Sequence, residues 1–227
     1  MFGKTINRIL KPLGFQMLRL NKDITAELHD PVGYNSKKGM NDFYSDESNI
    51  EAYINETRLK FYESLSSLIS INKNNINEIV DVGCGTGHLL LNVNKIYPDA
   101  NYLGLEYAEE AIQRAKKYFP KANYEVFDIY ESYDKKFDVV FCTEVLEHLL
   151  YPEKAFTNLQ AMLDRNGTLI ITVPEGRKDR FRGHINFWSP ESWKVFIDNN
   201  LTESYSSEFQ VLEVNNHFYN VAIIKSG

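Results

Sequence analysis

Glu144, Glu147 and His148 lie in the run EVLEHLL, directly after the apolar stretch FDVVFC. On a helix, positions three and four apart are neighbours, so these side chains would share one face. That face suits three kinds of chemistry. Two carboxyls and an imidazole match a divalent-metal ligand set. His148 alone matches a general base or a wall of an acceptor pocket. Acids near a helix start also gain about 0.3 to 1 kcal/mol from the backbone dipole with no reaction at all. What binds beside the run decides among them.

A second constellation lies earlier in the chain. In DVGCGTGH, Gly83, Gly85 and Gly87 surround Cys84 after an apolar run, forming a turn that lets backbone approach a ligand at the start of a helix. A dinucleotide fingerprint needs a third glycine at position 88, where His88 stands. Asp81, inside the run, would repel pyrophosphate and suits a cationic ligand. Glu106 and Tyr107, Asp128 and Ile129, and Thr143 and Glu144 then end the next three apolar runs. Glu106 falls about 20 residues on, where an acid reaches a ribose diol in dinucleotide folds. Glu106 and Asp128 have an alternative reading as helix caps or turn residues. Cys84 and Cys142 read as small buried packing residues.

The elements that must position these groups alternate. EIVDVG, NYLGLE, NYEVFD, FDVVFC and TLIITVP are short strand-like runs, separated by helical patterns near 87–97, 108–118 and 153–164. SPESWKVFIDNN reads as a capped helix, and FQVLEV with FYNVAIIK as a closing pair turning at Asn215 and Asn216. This order predicts an α/β, doubly wound, Rossmann-like sheet of seven strands. The sheet is mostly parallel, with an antiparallel closing strand and helices on both faces. Ligands of such sheets sit at the carboxyl ends of the strands, where Gly83, Glu106, Asp128 and Glu144 fall. Upstream, 30–46 is rich in turn residues and reads as a loop, and apolar residues from Ile50 to Ile69 recur at the spacing of one long helix.

At 227 residues, 43% apolar and 13% aromatic, the chain can bury one sizeable core. We divide it into a basic N-terminal segment with its loop, 1–45, and one domain with its leading helix, 46–227. The net charge is −6, and residues 1 to 22 hold five bases and no acid, leaving −11 on the rest. So acidic a body argues against a nucleic-acid partner. The basic segment suits either packing on the domain or contact with an anionic membrane surface or a partner. No apolar stretch approaches the roughly 18 residues a membrane span needs, and the opening lacks a signal peptide's continuous apolar core. Two cysteines that follow apolar runs suggest a reducing, cytoplasmic setting.

VDVGCGTGHLL, YLGLEYAEEAIQRAK, NYEVFDIYES and FDVVFCTEVLEHL together resemble the class I S-adenosylmethionine-dependent methyltransferases, over about 79–174. The resemblance implies that Gly83, Gly85 and Gly87, with Cys84, shape the turn around the methionine part. It implies that Asp81 orients the ammonium, Glu106 holds both ribose hydroxyls beside Tyr107, and Asp128 with the Ile129 backbone reads the adenine. Thr143, at the end of the fourth run, would belong to the same cofactor site. EVLEH is similar to the E-x-x-E-H wording of ubiquinone-pathway O-methyltransferases and small-RNA 3′-end methyltransferases, where it is associated with a divalent metal such as magnesium. On that resemblance Glu144, Glu147 and His148 are metal ligands, with His184 as the further histidine.

The acceptor end is read from PEGRKDRFRGHINFWSP. Arg180 and Arg182 form a plausible clamp for an anionic acceptor, or else part of a solvated loop, and Phe187 and Trp188 either line its pocket or belong to the core. GHINFWSPESW resembles bacterial members acting in sugar, surface-polysaccharide and other secondary pathways. The expected activity is O-methylation of an anionic small molecule, with His148, Glu144 and His184 at the reacting centre. A non-catalytic cofactor-binding domain and a nicotinamide-dependent oxidoreductase are the rivals, the latter disfavoured by His88 and Asp81.

Overall fold

A computed structural model describes residues 33–69 and 76–227. The basic segment 1–22 lies outside the described residues. Three helices lead, α1 (Lys37–Ser45), α2 (Glu47–Tyr53) and α3 (Glu56–Leu68). Then come β1 (Glu78–Val82), α4 (His88–Asn94), β2 (Asn101–Glu106), α5 (Glu109–Tyr118), β3 (Asn123–Val126) and β4 (Phe137–Thr143). A single 3-10 turn, Leu146–His148, precedes α6 (Pro152–Ala161), β5 (Leu163–Pro174), α7 (Pro190–Asn200), β6 (Tyr205–Val214) and β7 (His217–Ser226). No helix among the described residues is long and apolar enough to cross a membrane.

The seven strands form one sheet in the order β3-β2-β1-β4-β5-β7-β6, with β7 antiparallel to both its neighbours and the remaining pairs parallel. The strand order reverses between β1 and β4, which places a crevice at their carboxyl ends. Alternation along β1 shows why both faces are covered. Ile79 packs into one core with Phe61 and Leu65 of α3 and Leu90 of α4, whereas Val80 and Val82 pack into the other with Phe156 of α6 and Trp193 of α7. A parallel strand buried on both sides needs apolar residues at every position. Asp81 therefore stands out as a 1%-exposed acid in the strand's middle.

Local chemistry sets the element ends. Glu109 and Glu110 open α5 and Lys116 and Lys117 close it, which complements the helix dipole. The Ser189 hydroxyl accepts from Ser192 N at the start of α7. Asn215 and Asn216, at φ 48° and 63°, make the left-handed hairpin turn between β6 and β7.

Three expectations differ from the structure. Lys37–Ser45 is a helix inside the stretch read as loop, because Ser36 caps Gly39 N and Tyr44 is buried beneath it. Packing overrides the poor propensity of its Gly39 and Asn41. The single long helix is two, broken where the Asn55 side chain accepts from Arg58 N and starts α3 afresh. EVLEHLL is a 3-10 turn following Glu144, whose φ of 57° takes the chain out of helical register.

Candidate active site

The tips of β1 and β2 are tied together by backbone. Gly83 N and Cys84 N both donate to Leu105 O, at 2.7 and 3.1 Å. Gly83 has φ 79°, and a Cβ there would meet Val145 Cγ2 at 2.3 Å, so the turn admits no side chain. The Glu106 carboxylate is held from two directions. Gly85 N donates to its Oε2 at 2.9 Å and Ala108 N to its Oε1 at 3.0 Å. Burial pushes its pKa up and these N–H donors oppose the shift. Asp81 lies behind the turn with Oδ1 lacking a hydrogen-bond partner, and burial, then the charge of Glu106, pushes its pKa up to about 8. An acid left in this condition is suited to a cation.

At the tip of β3, Asp128 Oδ1 accepts from Tyr130 N at 2.9 Å, and Ile129 is buried beside it. Gly83, Glu106, Tyr107, Phe127, Ile129 and Thr143 wall this half of a cavity of about 760 Å³. Asp81, Cys84, Gly85, Gly87 and Asp128 are set back from the wall. Cys84 and Cys142 are free thiols in the two cores.

The other half meets the end of β4. Glu144 turns its carboxylate toward β5, where its Oε1 accepts from Thr172 Oγ1 at 3.1 Å. Burial pushes its pKa up to about 7, opposed by the charge of Arg58. Glu147 is fully buried, and neither carboxylate oxygen finds a hydrogen-bond partner. Burial, then Glu144, holds its pKa well above the usual range.

Two histidines face Glu147. His148 Nδ1 lies 2.9 Å from Asn35 Oδ1 and 3.1 Å from Gly183 O. Both partners accept, because the Asn35 amide itself donates to Gly183 O at 2.8 Å. The proton is thus on Nδ1, and Nε2 keeps its lone pair. Burial, then neighbouring His184, pulls the pKa of His148 down to about 4, so the ring is neutral. His184 Nδ1 bonds Asp179 Oδ2, and its Nε2 lies 3.8 Å from Glu147 Oε1. Glu147, His148 and His184 each offer a ligand atom within 4.8 Å of the others.

The structure therefore gathers Glu147, His148 and His184 and leaves Glu144 outside that set. Arg180 lines the cavity, with its Nη1 donating to Arg177 O and Asp179 O at 3.0 and 2.6 Å. Arg182 is exposed and off the wall. Phe187 is 51% exposed, and Trp188 packs on Trp193 and Phe196. Sequence reasoning missed Asn35, Arg58 and Asp179. Asn35 falls in the stretch read as a loop, and Arg58 lies between the apolar residues of the stretch read as one long helix. Asp179 lies in the basic loop, and His184, five residues on, is the available signal for it.

A family model described as a methyltransferase domain matches residues 53–200. The protein 235L of Invertebrate iridescent virus 6, a methyltransferase by name, is 24% identical over 79% of this chain and 65% of its own. A ubiquinone biosynthesis O-methyltransferase of Coxiella burnetii is 31% identical over 53% of this chain and 50% of its own. The chain thus spans less than two thirds of either relative. Among solved structures, the plantazolicin methyltransferase BpumL in complex with S-adenosylhomocysteine (SAH) shares the fold at TM-score 0.66 and 16% identity, over 84% of this chain and 95% of that one.

Proposed function

The chain belongs to the methyltransferase-domain family, and on that premise we propose that it transfers a methyl group from S-adenosylmethionine to a hydroxyl oxygen of an anionic small molecule. The observation that carries this reading is the Glu106 carboxylate, fixed by Gly85 N and Ala108 N opposite a glycine turn, with the unsatisfied Asp81 behind it. A fixed carboxylate at the second strand tip suits a ribose diol, and Asp81 suits the ammonium, both without phosphate. Ile129 and Asp128 suit the adenine edge. In the transfer, the carbon–sulfur bond breaks as the oxygen–carbon bond forms, and the hydroxyl proton leaves to a base. Glu144 fills that role, since it lines the cavity with a pKa near the working range. The remaining acceleration comes from alignment of the two reactants.

The residues beside Glu144 fit a divalent ion. Glu147 has two bare buried oxygens, and each histidine is backed at Nδ1 by an oxygen that fixes its ring, as metal-binding histidines usually are. Glu147, His148 and His184 would hold the ion, and two imidazoles suit a transition metal better than magnesium. When bound, such an ion lowers the pKa of an acceptor hydroxyl. Two buried free thiols suit a reducing, cytoplasmic setting.

Calorimetry tests the reading. We expect S-adenosylmethionine and SAH each to bind one per chain, and elemental analysis to find an ion lost in His148→Ala. No heat with either compound, on folded protein, overturns the methyl-transfer assignment. An ion content equal in His148→Ala and wild type overturns the metal assignment alone.

A further inference from the structure

Among the described residues, three lysine and arginine side chains line the cavity, Arg58, Lys178 and Arg180. Arg58 stands on α3, which packs on β1 and α4 through Phe61 and Leu65, and so belongs with the methyl donor, whose own carboxylate it suits. Arg180 spends its guanidinium on two backbone carbonyls of its own loop. Lys178 is in a different state. Its Nζ lies 3.0 Å from the centroid of the Phe218 ring, and among the described residues its ammonium has no hydrogen-bond acceptor and no ion pair. The acids beside it in the chain are taken, Glu175 by Arg177 and Asp179 by His184. An ammonium resting on a ring face keeps N–H donors for an anion on its other side.

The run of β5 sets where that anion lies. Glu144 N donates to Thr172 O, and Glu175 N, three residues further on, donates to Phe218 O. At about 3.3 Å per residue, Phe218 and the lysine on it stand about 10 Å beyond the level of Glu144. Phe43, Tyr53, Phe181 and Tyr219 share the wall, so the cavity is aromatic and fits a flat apolar body. A carboxylate at Glu144, the form that accepts the hydroxyl proton, repels an anion at the reacting end. The geometry points to Lys178 as the anchor for a carboxylate at the far end of the acceptor, about 10 Å from the hydroxyl that is methylated, with a ring between them. This deepens, and rests on, the methyl-transfer reading. One ammonium balances the single charge of a carboxylate, and Arg180 is not free to add a second for a phosphate. In this assignment the clamp read from the loop arginines passes to the neighbouring lysine.

The test uses the full chain, with and without SAH, and phenolic probes whose binding is read by calorimetry or ligand-observed NMR. Wild type should bind para-hydroxycinnamate about fivefold more tightly than its carboxamide, the scale of an exposed ion pair. It should also bind it more tightly than para-hydroxybenzoate, whose carboxylate lies closer to the hydroxyl. Lys178→Gln should bring acid and amide level, while SAH affinity stays within about twofold as proof of fold. Lys178→Arg should keep the preference for the acid. Equal binding of acid and amide to wild type overturns the inference, as does a preference that survives in Lys178→Gln or is lost in Arg182→Gln instead. Tighter binding of para-hydroxybenzoate overturns it through the spacing, and so does failure of all three probes to bind. Failure of SAH to bind wild type sinks the methyl-transfer reading separately, and the arm without SAH still decides the role of Lys178.

Discussion

On the side of the cavity built by β1, β2 and β3, polar groups are tied over short stretches of chain, as Gly85 N is to Glu106 across 21 residues. On the side built by residues 33–54 and 175–184, the ties run between distant segments. Asn35 reaches Gly183 across 148 residues and His148 across 113. The first side closes its hydrogen bonds on backbone, apart from Asp81. The second leaves a bare carboxylate at Glu147. A fixed ligand needs a fixed, locally built cradle. A variable ligand is met by side chains that different segments bring together, with charges left open for it.

The sharpest way to break this contrast is at Glu106. In Glu106→Ala, Gly85 N and Ala108 N lose their acceptor and the expected diol contact goes, so SAH affinity should fall about 100-fold by calorimetry, in line with two or more charge-assisted bonds. A loss under fivefold would show that the first side does not depend on its carboxylate.

Asp81 tests the exception. Its folded pKa of about 8 lies above the ordinary carboxyl value of 3.8, so the stability that the protonated form contributes is complete below about pH 4 and is lost as pH rises toward 8. Asp81→Asn mimics the protonated form. Without cofactor, it should unfold at higher denaturant than wild type at pH 8, and the two should converge near pH 4. It should also bind the methyl donor less tightly. Equal stability at both pH values would mean that the carboxylate is already compensated.

Asn35 offers the smallest effect and the most selective one. In Asn35→Ala the bonds to Gly183 and His148 are lost, about 1 to 2 kcal/mol in local opening. Hydrogen exchange should speed up about tenfold in 179–185 while the amides of 83–87 keep their wild-type rates. A rise spread evenly over both stretches would erase the distinction between the two sides.

The first side was legible because its signals are local. Glycines at alternate positions, an acid inside an apolar run and acids ending the next runs are all readable within one strand–helix unit, and the strand alternation gave the seven-stranded order of elements. The second side was not. Nothing near Asn35 shows that its partner is His148, and no periodicity shows that Arg58 turns its guanidinium inward. His184 could be nominated by type, but its backing by Asp179 is a fact of loop closure, set where Gly176 N donates to Trp188 O. The EVLEHLL helix failed for a local reason with no sequence mark, since a glutamate is an unusual occupant of left-handed backbone.

That occupant has a consequence. The other non-glycine residues at positive φ, among those described, are Asn166, Asn215 and Asn216, the residue type that tolerates this region best. Glycine at 144 would relax the bend by roughly 1 kcal/mol. The molecule nonetheless keeps a long acidic side chain at this bend, so that the carboxyl group reaches Thr172 and the contour of the main chain is what yields.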